Sequence, residues 1–404
     1  MFFFTLVTEW LPIVYGFSLT FIRHLPNFYF PGKGNIISNQ EWEYSMSDIY
    51  QRLQHYFDSM ASGFPKTDDG IEIKILQMMY SENEAALFLT MTSKKETPGE
   101  VANRCNRDEN KVSEELEAMS KKGLLWRERK GGKTFFSTSP FVVGILEYNV
   151  KRLAEDPKFA QLVAMYGIKG LMQTLASSGE QHMRTIPINH RLVQKWPIAT
   201  YDDAVRIINS HDKIAVGLCS CKTIFNSIGM KKCTKPLESC IGFDELAEFY
   251  LENNSAREIS KDEAIKIITM SDQHGMVLQP FNGKDAGALC SCCGDCCTVL
   301  LSLKMRPYPA QDVRSSYFAE INADECTGCN LCTERCQIEA VHMNKDNTAV
   351  VDLNRCIGCG LCVTTCPSEA VYLVKKPEQE LHEPPANIEK AHEIMAMKRG
   401  FTKA

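Results

Sequence analysis

The 404-residue chain lacks the short loops that mark most nucleotide and hydrolase sites. It has no G-x-x-x-x-G-K-[ST] phosphate loop, no G-x-G-x-x-G dinucleotide fingerprint and no G-x-S-x-G nucleophile elbow. Flavin, nicotinamide and serine-hydrolase chemistry of the usual kinds therefore have no visible seat. Low-complexity tracts are absent too. So is a charge bias: 45 basic residues face 50 acidic ones, a net −5. That balance gives no global case for nucleic acid or an anionic membrane as partner.

What the chain has in excess is cysteine. There are 18, and 17 of them lie between Cys219 and Cys366. Such density in a small secreted domain would imply disulfides. In a long chain with C-x-x-C spacings and no secretory signal it implies metal, in a reducing compartment. The expected location is the cytoplasm.

Residues 1–45 read differently from the rest. Met1 to Ile22 is apolar, but Glu9 interrupts it and no basic segment precedes it. A carboxylate near mid-span costs roughly 2.5–3.5 kcal/mol on insertion scales. The text after Phe30 is rich in Gly, Asn, Ser and Gln without helical period. Trp42-Glu43 must be encoded by a purine-rich run resembling a ribosome site, just ahead of Met46. The expectation is that Met46 is the native start and 1–45 a non-native or unstructured extension; a membrane anchor is the alternative.

From Met46 the pattern becomes that of an α+β, multidomain protein. Ser47 or Asp48 reads as a cap, and helices are expected over Ile49–Ser59, Ile71–Tyr80 and Glu82–Met91. Thr97-Pro98-Gly99-Glu100 starts a short helix, Asn106-Arg107 turns it, and Asp108 opens a longer helix that Gly123 ends. Leu124–Glu128 and Thr134–Ser137 flank Gly131-Gly132, the signature of a hairpin. Helix, turn, helix, hairpin over about residues 70–140 resembles a winged helix of the MarR or ArsR sort, within a domain at 46–150. In such a fold the segment Asp108–Glu117 would read DNA. It carries five acidic residues against Lys111, a net −4, whereas a groove-entering helix is normally neutral or basic. The hairpin tip is basic, with Arg127, Arg129, Lys130 and Lys133 against Glu128. Protein contacts or dimerisation suit this charge pattern better than DNA.

A mixed, cysteine-rich middle domain is expected at 151–305. Helices are expected over Val142–Leu153, Phe159–Leu175, from the Asp202-Asp203 cap to Ile208, and from the Ser260 capping box to His274. Lys213–Val216 and Met276–Gln279 read as strands. His182, His190 and His274 read as surface or packing residues, and Cys105 as a buried apolar thiol. After Pro384-Pro385, Leu381–Arg399 reads as a helix within a tail at 377–404.

Two segments repeat at a spacing of 30 residues. One holds Cys326, Cys329, Cys332 and Cys336; the other holds Cys356, Cys359, Cys362 and Cys366. Each is C-x2-C-x2-C-x3-C, followed by Glu-Ala-Val. Strands are expected at Tyr317–Ile321, Val341–Met343, Ala349–Val351 and Val371–Val374, with a turn at Asp346-Asn347. Over about 60 residues, within a domain at 306–376, this resembles the bacterial-type ferredoxin that carries two [4Fe-4S] clusters. In that family the fourth cysteine of each run ligates the other cluster. The resemblance thus implies a cluster I on Cys326, Cys329, Cys332 and Cys366, and a cluster II on Cys336, Cys356, Cys359 and Cys362. Gln337 stands where the family usually has Pro, which would loosen the first helix without removing a ligand.

Nine further cysteines precede the repeat: Cys219, Cys221, Cys233 and Cys240, then Cys290, Cys292, Cys293, Cys296 and Cys297. The first four suffice for one tetrahedral metal or one [4Fe-4S] cluster. The other five exceed any mononuclear need, and adjacent pairs suit ligands shared between sites. One or two additional iron–sulfur clusters are expected here; structural zinc and a metal-free redox thiol site are the alternatives. The region resembles, weakly, the doubled-cysteine motifs of heterodisulfide reductase-like proteins, but the spacing differs and no residue role transfers. No catalytic residue is identified. The expected function is electron transfer with an oxidoreductase as redox partner. Alternatives are a redox-responsive winged-helix regulator and an iron–sulfur subunit of an anaerobic oxidoreductase.

Overall fold

The computed structural model describes residues 49–175, 181–188 and 199–401. The expectations for residues 1–45, Met46 as start, the Ser47 or Asp48 cap and His190 fall outside them.

Five helices open the described chain: α1 Ile49–Ser59, α2 Ile71–Met79, α3 Glu82–Thr90, α4 Pro98–Cys105 and α5 Glu109–Lys121. Their boundaries follow local chemistry. Ser81 and Thr97 form reciprocal capping boxes with Glu84 and Glu100, and Pro98 sits at the first helical position. Asp108 caps α5 by accepting from Lys111 N. The hairpin β1 Trp126–Lys130 and β2 Lys133–Ser137 turns on Gly131 and Gly132, both in the left-handed region. Its first strand starts two residues later than the sequence suggests, because the two-residue turn fixes the register. Phe57, Phe64, Phe88, Phe141 and Tyr166 pack in tilted and edge-on pairs as the core of this part.

One expected helix fails. Val142 and Val143 are extended and Gly144 has φ 158, so Val142–Leu153 is not continuous helix. Two adjacent β-branched residues favour the extended state there. Helix resumes as one turn at Leu146–Tyr148, then as α6 Val150–Glu155 and α7 Pro157–Tyr166, and the chain from Gly167 to Leu171 continues as a wider π turn.

The next layer is a five-stranded antiparallel sheet in the order β5-β3-β4-β7-β6. Its strands are β3 Ile214–Leu218, β4 Glu238–Phe243, β5 Ala256–Glu258, β6 Val277–Pro280 and β7 Ala288–Cys292. Helices α8 Ala204–Ser210, α9 Ser220–Ser227, α10 Asp244–Glu252, α11 Lys261–Gln273 and α12 Thr298–Lys304 connect or cover them. Asp203 caps α8, while Asp202 pairs with the buried Arg184. Ser260 caps α11.

The C-terminal part is ferredoxin-like. Strands β8 Tyr317–Ile321 and β11 Val371–Lys375 pair antiparallel, as do β9 Val341–Met343 and β10 Ala349–Val351. Short helices α13 Leu331–Arg335 and α14 Leu361–Thr364 follow the cysteine loops. One apolar core runs unbroken from Ile186 through Val216, Ile241 and Leu289 into Tyr317, Ile338 and Leu361. The module therefore shares its core with the sheet. The final helix, α15, spans Ile388–Lys398 and begins later than Leu381, because Asn387 caps it by accepting from Lys390 N. Arg399 bonds Asp58 and the carbonyls of Asp58 and Met60, fastening this helix to α1. Among the described residues, no helix is long and apolar enough to cross a membrane.

Candidate metal centres

The eight cysteines of the repeat gather into two sets. Cys326, Cys329, Cys332 and Cys366 line one cavity of about 300 Å³. Cys336, Cys356, Cys359 and Cys362 line another of about 370 Å³. Each set takes three cysteines from one run and the fourth from the other. Gly358 is at φ 66, and a Cβ there would meet the Tyr317 carbonyl. Backbone N–H groups aim at the sulfurs: Ala340 at Cys336 (3.1 Å), Ala319 at Cys356 (3.4 Å) and Ala349 at Cys326 (3.5 Å). Such bonds tune a cluster's potential. Burial pushes the thiols of Cys332, Cys356, Cys359 and Cys362 up. At Cys366 burial also opposes ionisation, but bonds from Ser368 and nearby N–H groups hold the thiol below its usual value. A bound metal deprotonates such thiols outright, so the donor set fits iron–sulfur clusters. The first set is nearer the surface: Cys329 is exposed, whereas Cys356 and Cys362 are buried.

The nine upstream cysteines sort differently in space than along the chain. Cys219 precedes α9 and Cys221 lies in its first turn; Cys240 is on β4; Cys290 and Cys292 are on β7; Cys297 precedes α12. Cys240 and Cys290 are direct cross-strand partners. Thiols interact pairwise from Cys219 to Cys221, Cys297, Cys292, Cys290 and Cys240, and Cys240 also feels Cys219. The six form one connected group, in which Cys219 acts on Cys240 through charge alone. Cys233 leaves the first sequence group and joins Cys293 and Cys296, with all three sulfurs within 4.8 Å of one another. Each adjacent pair, Cys292-Cys293 and Cys296-Cys297, sends one member to each group. Neighbouring side chains on one backbone point apart, and that is why sequence proximity misgroups them.

Thiolate character concentrates on three positions. Neighbouring thiols hold Cys290 well below the usual thiol value, bring Cys297 down to about 5, and Cys296 brings Cys293 to about 5. Their partners Cys219, Cys221, Cys240, Cys292 and Cys296 are pushed up, by a neighbouring thiol and by burial.

Three residues matter here that the sequence reading did not place. Lys222 is 1% exposed, and its ammonium bonds the Pro236 carbonyl (2.8 Å), the Ser239 hydroxyl (2.6 Å) and the Met276 sulfur (3.3 Å). None of these carries a charge, yet Lys222 lowers the thiols of Cys219, Cys290 and Cys293. A buried cation without a charged partner is costly; thiolates on both sides supply one. Glu147 is lifted to about 7 by burial, with the Cys290 thiol adding to it. Gln337, where the family usually has Pro, takes partners outside its helix. Its side-chain oxygen accepts from Gly294 N at 2.8 Å and from Lys235 at 3.2 Å, tying the module to the Cys293–Cys296 loop. Only Gln337 left a signal in the sequence, as the departure from Pro.

Among the described residues, the remaining candidates stand apart from the metal-sized cysteine trio. His182 is buried, with Nδ1 3.1 Å from His392 Nε2. His274 follows α11 at the surface. Cys105 is half-buried, and its thiol donates to Thr90 Oγ1.

Comparison with known proteins agrees with the module's geometry. Residues 315–380 match the family model of the 4Fe-4S dicluster domain. A 34-residue stretch is 44% identical to a probable ferredoxin of Methanosarcina thermophila, covering 8% of this chain and 59% of that protein. The chain thus spans less than two thirds of that relative, and the match concerns the module alone. No solved structure matches. The C-terminal part is a 4Fe-4S ferredoxin-like module, which supports an iron–sulfur electron-transfer role.

Proposed function

We propose that this protein is an electron carrier in which two [4Fe-4S] clusters of the C-terminal module pass electrons between a redox partner and metal held by the middle cysteines. The observation that carries the reading is the sorting of the repeat's eight cysteines into two cavities, each completed by a cysteine from the other run. Cluster I, on Cys326, Cys329, Cys332 and Cys366, faces the partner, because Cys329 is exposed. Cluster II, on Cys336, Cys356, Cys359 and Cys362, faces inward, and Gln337 beside it contacts the middle loop. The group of six thiols is more than one cubane's four ligands; it suits an additional iron–sulfur cluster in the sheet domain. The redox partner is an oxidoreductase, and the setting is cytoplasmic.

Specific contacts weigh against the regulator reading. Arg127 and Arg129 of the hairpin pair with Glu117 and with Glu252 of α10, and Arg127 is 2% exposed. Trp126 stacks on Phe249. The hairpin's arginines are thus spent on the sheet domain rather than offered to phosphates.

The test is electron paramagnetic resonance on anaerobically prepared, dithionite-reduced protein. Cys366→Ser and Cys332→Ser should perturb one and the same module signal, and Cys336→Ser and Cys356→Ser the other. If Cys366→Ser instead altered the same signal as Cys356→Ser, the crossed assignment would fail.

A further inference from the structure

The trio Cys233, Cys293 and Cys296 differs in kind from every other cysteine group in the molecule. Among the described residues, it is the one set of three whose sulfurs all lie within 4.8 Å of one another. Cys233 and Cys296 stand 3.9 Å apart. A single tetrahedral zinc, with zinc–sulfur bonds of about 2.3 Å, sets its sulfurs about 3.8 Å apart. Neither of the module's four-cysteine sets is that tight, because the sulfurs around a cubane bind separate irons. The trio's spacing is the size of one metal ion, not of a cluster.

We propose that Cys233, Cys293 and Cys296 bind one zinc ion as a three-thiolate centre whose fourth position is open and takes water or, in exchange, a small thiol. This rests on the reading that the middle cysteines hold metal. It departs from that reading by making this centre mononuclear and distinct from the six-thiol group.

The loop is built for it. Cys293-Gly294-Asp295-Cys296 is a C-x-x-C turn, and the Cys297 N–H donates to the Cys293 carbonyl at 3.0 Å. Gly294 has no room for a side chain, since a Cβ would meet the Gln337 carbonyl. Gln337 holds the Gly294 N–H from outside, so the turn is clamped from both faces. The nearest acidic residue, Asp295, is drawn to Lys235 at 2.9 Å. Among the described residues, no fourth Cys, His, Asp or Glu joins the group. Catalytic zinc sites share this arrangement of three protein ligands and one exchangeable position, whereas structural ones are closed by four. Cys233 is the edge of the site nearest solvent, since it is half-buried between the exposed Lys232 and Thr234, whereas Cys293 and Cys296 are 1% exposed. Zinc with three thiolates carries one net negative charge. Lys222 and Lys235 both act on Cys293 and offset it. A thiol is the ligand class that fits, because thiolate-rich sites prefer soft donors.

The full chain, prepared anaerobically with a phosphine reductant and no thiol, should be assayed for zinc and iron and by zinc-edge X-ray absorption. The expected result is about one zinc per chain, with three sulfur neighbours near 2.3 Å and one light neighbour. Adding 2-mercaptoethanol should convert the shell to four sulfurs. Cys233→Ser, in the exposed loop, and Cys296→Ser should each lose the zinc and keep the iron. Iron lost in these variants, with no zinc present, would overturn the inference while leaving middle-domain metal in place. No metal lost would overturn the inference and leave the reading of the six-thiol group standing. Four sulfurs before any thiol is added would overturn the open position.

Discussion

Gln337 accepts the backbone N–H of Gly294 at 2.8 Å, which joins the residue after Cys336 to the residue after Cys293. A ferredoxin standing alone has no use for this bond. The bond exists because the module packs on a second cysteine-bearing domain. Replacing Gln337 by Leu removes the acceptor and leaves the Gly294 N–H and the Lys235 ammonium without it. The expected loss is about 1–3 kcal/mol of unfolding free energy. Denaturant midpoints measure it, and the module's iron content should stay unchanged.

Arg127 is the buried half of the ion-pair network that joins β1 to α10. It bonds Glu117, Ser120, Glu252 and Asn253. Arg127→Met should destabilise the protein by roughly 3–5 kcal/mol, the range for removing one partner of a buried ion pair. Arg129→Met is expected to cost about 1 kcal/mol or less, because that side chain is 44% exposed. Equal effects from the two would contradict the burial argument.

Much of this architecture was legible in the sequence. Thr97 and Asp108 marked helix starts because a cap is a local event. The Gly131-Gly132 turn and the four module strands were legible for the same reason. Of the five-stranded sheet, only β3 and β6 were. β4 and β7 carry Cys240, Cys290 and Cys292 at positions where a strand pattern would show plain apolar residues, and their pairing joins segments 50 residues apart. The grouping of the upstream cysteines was illegible too, since it depends on which face of β7 and of the following loop each thiol takes. Nothing in the local sequence singles out Lys222, and only the fold buries it.

Lys222→Met keeps the bulk and removes the charge between the two thiol groups. The middle cluster should become harder to reduce, with a midpoint potential shifted to more negative values, because a nearby cation favours the more negative reduced state. A redox titration followed by electron paramagnetic resonance reads this. The module's signals should not move. A shift in the module alone would contradict the placement.

The His182–His392 pair makes stability depend on pH. Burial lowers both rings, His182 well below 6.5 and His392 to about 4. The unfolded chain therefore binds more protons than the folded one between those values and about 6.5. Stability from this pair is complete above about pH 6.5 and falls as the pH drops toward 4. Thermal midpoints should fall over that window, and less steeply in His392→Leu. Identical slopes for the two proteins would contradict it.

The most direct test of the central claim is the iron and acid-labile sulfide content of the full chain, purified anaerobically. The account predicts about twelve irons and about twelve sulfides per chain, eight of each in the module and four in the six-thiol group. A count that stops at about eight would contradict an iron–sulfur centre in the middle domain. A chain holding no iron would contradict electron transfer altogether.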